Sequence, residues 1–257
     1  MSAANASVNY WPHTSCAKAF WSQRDTPAYQ RLLKDTAAWL DPKAGDEWLD
    51  LGCGSGPLTE VLWRQSGGRI GQIVCADCAT VNMHAIDRLR QRLEPRPQIG
   101  QIQFVALDFS SGLPAWKDSR FDGVVSGLSI QYAQSYSLDR QDWTTEAYDR
   151  LLFEVFRVLR PGGCFVFSVN VPEPSWGRVA LRSIKGVFRA PRPARYVKNA
   201  WRMLRYGRWL KQEARRGRFH YLPENAIRHK LAAAAFMNIE HRLSYAGQAY
   251  LFRCRKP

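Results

Sequence analysis

Apolar and polar positions along this chain follow two different rhythms. Leu32, Leu33, Thr36, Ala37 and Leu40 recur at three- and four-residue spacing, which predicts a helix over 27–40 with one buried face. Thr26-Pro27 ahead of them supplies a side-chain cap and a first-turn proline, and Asp41-Pro42 stops the run. The period then shortens. Glu47-Trp48-Leu49-Asp50-Leu51 reads as a buried strand, Leu58 to Gln65 as helix, and Ile70 to Ala76 as a strand closed by Asp77. Val81 to Leu93 is helical, Gln101 to Leu107 is a strand ending at Asp108, and Phe121 to Ser126 is a fourth strand. Thr145 to Leu159 forms a strongly amphipathic helix, and Arg160-Pro161-Gly162-Gly163 turns it into a fifth strand, Cys164 to Val169. The rhythm then lapses before a helix at Pro223 to Ala234. Ile239 to Ala246 and Ala249 to Arg255 flank Gly247-Gln248 as an antiparallel hairpin.

Strand–helix alternation with short turns predicts an α/β fold, a parallel sheet wound with helices on both faces. Ligands of such sheets bind beyond the carboxyl ends of the strands. Asp50, Asp77, Asp108 and Ser126 all fall near those ends, along one edge of one crevice. The organisation expected is an arm over 1–28, a core over 29–171 and 221–257, and a separate helical insertion over 172–220.

The chemistry concentrates at Gly52-Cys53-Gly54-Ser55-Gly56, which leaves a strand and enters a helix. Glycines there turn the backbone tightly and let it approach a ligand with no Cβ in the way. The helix start offers free N–H groups to a carboxylate or phosphate. Asp77, closing the next strand, is placed to accept both hydroxyls of a ribose. A dinucleotide would use a similar layout, but its fingerprint needs a third glycine three residues after the second. Here that position is Pro57, and the third glycine is Gly56. Asp50 inside the motif suits a ligand ammonium. An ammonium and a carboxylate on one adenosyl ligand describe the methionine half of S-adenosylmethionine.

Leu49 to Gly56 resembles the first motif of class I S-adenosylmethionine-dependent methyltransferases. Cys75-Ala76-Asp77 through Met83 resembles the second motif, and Ala106-Leu107-Asp108-Phe109 the third, whose acid meets the adenine amino group. Phe121 to Ser126 resembles the fourth, and Arg157 to Gly163 the turn before strand five. The likeness runs from about Tyr29 to Val169 and again from His220 onward, and is closest to the quinone-biosynthesis and small-molecule branch. It implies a doubly wound, mostly parallel seven-stranded Rossmann-like sheet with a C-terminal antiparallel hairpin. It further implies S-adenosylmethionine as cofactor, held by Asp50, Gly52, Cys53, Gly54, Gly56, Asp77, Cys78, Asp108, Phe109 and Ser126. One departure stands out: the family's helix before strand six ends in Gly-Phe, and here it reads Ala235-Phe236, a less natural left-handed cap.

The sulfonium makes the methyl electrophilic without help, so positioning the acceptor is the protein's main task. No catalytic residue is obligatory; Gln131 and Tyr132, after strand four, are candidates to orient the acceptor, with packing or capping an equal alternative. Asp122 reads as a loop end. Cys75-x-x-Cys78 has metal-like spacing, but no second pair or nearby histidine completes a site, so no metal is expected.

Charge changes the picture in one place. Of a net +15, twelve units come from Pro172 to His220, with fourteen Lys/Arg against two Asp/Glu. Within it Val197, Ala200, Trp201 and Leu204 form an apolar stripe beside Arg195, Lys198, Arg202 and Arg205. Three readings stay open: a lid that meets an anionic membrane surface, which favours a lipophilic acceptor; a site for RNA phosphates; or a lid with a solvated outer face. The six scattered cysteines and the absence of a signal peptide or apolar span suggest a reduced, cytoplasmic protein, with membrane association through the basic segment as an addition. Methylation of a small, lipophilic metabolite is the leading expectation. RNA modification and a cofactor-binding regulator without catalysis are the alternatives.

Overall fold

The structure is a computed structural model that describes residues 11, 21–94, 101–175, 177 and 205–257. Its centre is a seven-stranded sheet in the order β3-β2-β1-β4-β7-β9-β8. The strands are β1 (Glu47–Leu51), β2 (Gln72–Asp77), β3 (Ile102–Ala106), β4 (Phe121–Gly127), β7 (Leu159–Asn170), β8 (Met237–Ser244) and β9 (Ala249–Arg255). The first five run parallel, and β9 pairs antiparallel with both β7 and β8. The doubly wound sheet with its antiparallel terminal pair is therefore the one expected. A small hairpin, β5 (Ser135–Ser137) with β6 (Asp142–Thr144), was not anticipated from the sequence.

Alternation within the central strands sorts side chains onto two faces. Leu49, Leu51, Val124, Phe165 and Phe167 face α4 (Glu146–Val158) and α5 (Glu224–Ala233), where Leu151, Val155, Ile227 and Leu231 complete one core. Trp48, Val125, Val166 and Leu251 face the opposite way onto α2 (Pro57–Gln65) and α3 (Val81–Leu93), meeting Leu62, Trp63, Ile86 and Leu89. Burial on both faces is what makes these strands nearly continuous apolar runs.

The expected boundaries moved by up to five residues. Helix α1 (Pro27–Ala37) starts at the predicted Thr26 cap, whose hydroxyl accepts from Tyr29 N, but stops at Ala37, before Asp41-Pro42. The Arg160–Gly163 turn lies inside a longer β7, where the register with β4 jumps from Phe121↔Leu159 to Gly123↔Cys164. Asp122 at that jump accepts from Glu47 N (2.8 Å) and the Arg160 guanidinium (2.5 Å), which makes it a structural clasp. Helix α5 ends in a Schellman motif: Phe236 N donates to Leu231 O (3.0 Å) and Ala235 N to Ala232 O (2.9 Å). Ala235 takes the left-handed conformation there (φ 65°), doing without glycine what the motif ordinarily assigns to glycine.

The apolar stripe at Val197 to Leu204 lies outside the described residues. The adjoining stretch 205–215 is helical and buries Gly207, Leu210 and Glu213 while exposing Arg205, Arg208 and Arg215, and Arg216 just after it is exposed as well. Arg218 and Phe219, which follow, are 2% exposed and His220 is 4% exposed, so the inner side of this basic stretch is part of the packed protein. No helix of the described residues is long and apolar enough to cross a membrane.

Candidate active site

Strand order reverses between β1 and β4, and the crevice this opens lies beyond their carboxyl ends. The turn after β1 forms its floor. Gly52 adopts φ 72°, and a Cβ there would sit 2.2 Å from Ser129 Oγ. Only a glycine lets that backbone pass under the loop that follows β4. The β1–β4 ladder stops at Asp50↔Val125, which leaves the next carbonyl, Leu51 O, for side chains. Ser126 Oγ donates to it at 2.7 Å and Ser129 Oγ at 2.9 Å. Leu128, between them, is held at φ 52° with its N–H donated to Ser168 O and Oγ. Backbone strain of this kind persists where surrounding bonds over-determine it.

Three acids converge on the cleft. Asp50 is 1% exposed, and its Oδ2 accepts from Thr59 N (3.0 Å) and Thr59 Oγ1 (2.6 Å) at the start of α2. Burial pushes its carboxyl up to about 7, against the pull of the Thr59 bonds, and the neighbouring Asp77 adds to the rise. Asp77 accepts from Gly54 N (2.9 Å) and Ala79 N (2.8 Å), and burial raises it too. It thus shapes the glycine turn as well as facing the ligand space. Asp108 caps the short turn Phe109–Ser111 through Ser110 N (2.9 Å) and also lines the cleft. A cleft in which desolvation raises two carboxyls favours a cation, whose arrival stabilises their ionised forms.

Of the expected cofactor residues, Asp50, Gly52, Cys53, Gly54, Asp77, Cys78, Asp108 and Phe109 line one cavity, and Tyr132 joins them from the loop after β4. Gly56, Ser126 and Gln131 do not line it. Gly56 is the left-handed N-cap of α2 (φ 80°), where a Cβ would strike Ile86 and Leu89 of α3; its work is packing. Ser126 is spent on Leu51 O, and Ser129, which the sequence did not single out, takes the cavity position instead. Gln131 is wholly buried. Its Oε1 accepts from Asn170 N (2.5 Å) and its carbonyl from His220 N (2.8 Å), so it ties the loop after β4 to the end of β7 and to the basic stretch. Cys53 and Cys75 are buried, and burial first, then the neighbouring Cys75, drives the Cys53 thiol up. Among the described residues no cluster of His, Cys, Asp and Glu could hold a metal ion.

The other end of the cavity is aromatic. Tyr132, Leu210, Phe219 and Tyr221 form a buried cluster, with Trp11 and Trp209 packed against it. Trp11 lies 4.5 Å from the Tyr132 ring and Phe219 stands edge-on to it at 4.9 Å. Arg218 pins this cluster: its guanidinium bonds Gln134 (2.8 Å) and Glu213 (3.3 Å) and stacks 4.7 Å over Trp143 of the small hairpin. The Tyr132 and Tyr221 hydroxyls meet at 3.3 Å, and burial raises both phenols. Burial also lowers His220 to about 4, so its ring is neutral at pH 7. Asn170, the last residue of β7, lines the cavity, and among the described residues its Oδ1 is buried with no hydrogen-bond partner. Leaving such an oxygen unpaired costs about 1–3 kcal/mol. The cleft is open to solvent at its mouth and encloses about 1230 Å³ with that mouth included.

Residues 49–167 match the family described as a methyltransferase domain. A 2-phytyl-1,4-naphtoquinone methyltransferase from Nostoc sp. is 31% identical over 132 residues, covering 51% of this chain and 50% of that protein. A ubiquinone/menaquinone biosynthesis C-methyltransferase from Acidiphilium cryptum is 31% identical over 164 residues, covering 60% and 58%. The chain thus spans a fifth to just over half of the length of the curated relatives it matches. The fold alone is shared with a 1,6-didemethyltoxoflavin-N1-methyltransferase from Burkholderia thailandensis, solved with 1,6-didemethyltoxoflavin and S-adenosylhomocysteine. That likeness has a TM-score of 0.57 at 19% identity and covers 93% of this chain and 82% of that one. Residues 49–167 are a class I S-adenosylmethionine-dependent methyltransferase domain, and S-adenosylmethionine is its cofactor. The residues present fit that group: the open space beside Gly54, where a Cβ would meet no protein atom within 4 Å, suits close approach of a ligand to the backbone, and the Asp50–Asp77 pair suits an ammonium and a ribose.

Proposed function

We propose that the whole protein transfers the methyl of S-adenosylmethionine to a small, lipophilic, ring-bearing metabolite. The observation that carries this is the one continuous cavity lined by the acids of the glycine turn and by the apolar side chains of Trp11, Tyr132 and Leu210. The cofactor supplies an electrophilic methyl. Asp50, Asp77 and Asp108 would hold its ammonium, ribose and adenine respectively, with Phe109 and Cys78 as apolar walls. The aromatic wall would exclude water and align the acceptor with the methyl. Burial keeps Tyr132 and Tyr221 protonated at pH 7, so neither draws a proton from the acceptor. The relatives named as quinone methyltransferases support an acceptor of that lipophilic, cyclic kind.

Methyl-labelled cofactor incubated with an apolar metabolite extract should pass label to the organic phase. Label passing instead to bulk tRNA, or to nothing, would overturn the proposal. The exposed Arg205, Arg208, Arg215 and Arg216 support a second element of it, that the 172–220 segment is a lid bearing on an anionic lipid surface. Co-sedimentation with vesicles of anionic lipid, and not with neutral ones, is the expected result; equal binding to both would sink that element.

A further inference from the structure

The methionine half of the cofactor carries a carboxylate as well as an ammonium, and the carboxylate needs donors of its own. The glycine turn and the start of α2 are the nearest source, yet most of their N–H groups are already committed. Gly52 and Cys53 donate to Ala76 O, Gly54 to Asp77, Gly56 to Cys53 O and Thr59 to Asp50, while Pro57 has none to give. Asp50, Asp77 and Asp108 would repel a carboxylate. Among the described residues one cationic side chain lines the cavity, Arg24, from the arm ahead of α1.

Arg24 is held in place without being exhausted. Its Nη2 donates to Glu60 Oε2 (3.0 Å), and the other oxygen of Glu60 accepts from Arg64 Nη2 (2.6 Å). One carboxylate between two guanidiniums leaves a positive charge in excess. A guanidinium has five N–H donors, and the bond to Glu60 uses one of them. Position agrees with charge. Burial pushes the Tyr29 phenol up, the Asp50 charge adds to the rise and the Arg24 charge opposes it, so both charges lie near that cavity-lining ring. The ammonium and carboxylate of an amino acid hang from one carbon, so the partner of the carboxylate must stand near Asp50. The arm is fastened on either side of Arg24: Trp21 Nε1 donates to Asn82 Oδ1 on α3 (2.8 Å), and Gln23 Nε2 to the Tyr245 hydroxyl (2.8 Å).

We infer that Arg24 binds the carboxylate of the cofactor's methionine half, with Glu60 as the residue that positions its guanidinium. The cofactor site then extends ahead of residues 49–167 into the arm. A guanidinium meets a carboxylate through charge-assisted bonds of fixed geometry, so Arg24 orients the amino-acid end and with it the sulfonium that carries the methyl.

This inference rests on the proposed placement of the ammonium at Asp50, and two ligands separate the two assignments. S-adenosylhomocysteine and its decarboxylated analogue, which keeps the ammonium and loses the carboxylate, are titrated calorimetrically into the full chain. The unaltered protein should bind S-adenosylhomocysteine about tenfold or more tightly than the analogue. Arg24→Gln should weaken S-adenosylhomocysteine by about tenfold or more and leave the analogue within about twofold, so that the preference disappears. Arg24→Lys should restore part of it, and Glu60→Gln should narrow it while Arg24 is still present. Asp50→Asn should weaken both ligands alike; if it spares both, the ammonium assignment is overturned and the Arg24 comparison is still read from the ligand pair. Equal weakening of both ligands in Arg24→Gln would reduce Arg24 to a fastening of the arm. No weakening of either would give the carboxylate to the remaining N–H groups of Ser55 and Leu58. Each of these last two results would overturn the inference.

Discussion

The two ends of the cleft are built by opposite means. At the cofactor end, position is set by backbone: Gly52 and Gly54 in left-handed conformations, Leu51 O clamped by two serines, and carboxylates that hold N–H groups of the turn itself. At the aromatic end it is set by side chains, with the rings of Tyr132, Phe219 and Tyr221 packed together over Leu210 and pinned by Arg218. A backbone site tolerates almost no change and serves one ligand. A side-chain wall can be repacked to serve another.

The comparison breaks most visibly at Gly52. A Cβ there meets Ser129 and must be held at φ 72°, so Gly52→Ala should destabilise the protein by about 2–4 kcal/mol in urea denaturation. It should also abolish measurable S-adenosylhomocysteine binding. Gly54 has a similar φ, but nothing lies within 4 Å of the added Cβ. Gly54→Ala should therefore cost only the conformational part, about 1–2 kcal/mol. Equal losses at the two positions would show that the Ser129 approach does not matter.

The two ends should also respond oppositely to pH. Asp50 has a carboxyl raised to about 7 in the folded protein from an ordinary 3.8. Between those values the folded state holds a proton that the unfolded state has lost, so this group's contribution to stability falls as pH rises through 7. Beside the aromatic end, His220 is lowered to about 4 from 6.5, so the unfolded state takes a proton first and stability falls as pH drops from 6.5 toward 4. The terms oppose each other over that window. Asp50→Asn should remove the first and leave melting temperature rising with pH across it, a slope that the unaltered protein shows weakly. Binding of the cationic cofactor should strengthen as pH rises from 6 to 8 and Asp50 ionises, and this dependence should flatten in Asp50→Asn.

The smallest effect expected lies away from both ends. Ala235 caps α5 at φ 65° in an exposed position, and Ala235→Gly should stabilise the protein by about 1 kcal/mol without altering ligand affinity. A destabilising result would mean that the Schellman bonds at Leu231 and Ala232 carry less of the helix end than their geometry implies.

The same division explains what could be read from sequence. The backbone end was legible because its constraints fall on residue types: glycine where φ is positive, and acids at strand ends where N–H groups collect. Asp50, Asp77 and Asp108 came from that rule, and Asn170 obeys it too; placing the end of the fifth strand at Val169, one residue short, is why it was missed. Gly56, Ser126 and Gln131 share the right neighbourhood but point into packing, and direction is not written in spacing. Ser129 reaches the cavity only because the chain after β4 makes a turn through Leu128 at φ 52°, a conformation no leucine announces. The aromatic end was least legible, since Tyr132 meets Phe219 and Tyr221 at sequence separations of 87 and 89 and nothing local marks the pairing. Charge marked the segment as unusual but concealed its buried inner side, Leu210, Arg218 and His220.

The most direct test of the division is calorimetric titration of S-adenosylhomocysteine into Asp77→Asn and Leu210→Ala, side by side with the unaltered protein. Asp77→Asn removes a charge-assisted hydrogen-bond partner from the cofactor end and should weaken binding about tenfold or more. Leu210→Ala opens the aromatic end and should leave that affinity within about threefold, its cost falling instead on stability, about 2–5 kcal/mol for a buried leucine. Equal losses of affinity in the two variants, or a larger loss in Leu210→Ala, would contradict the account.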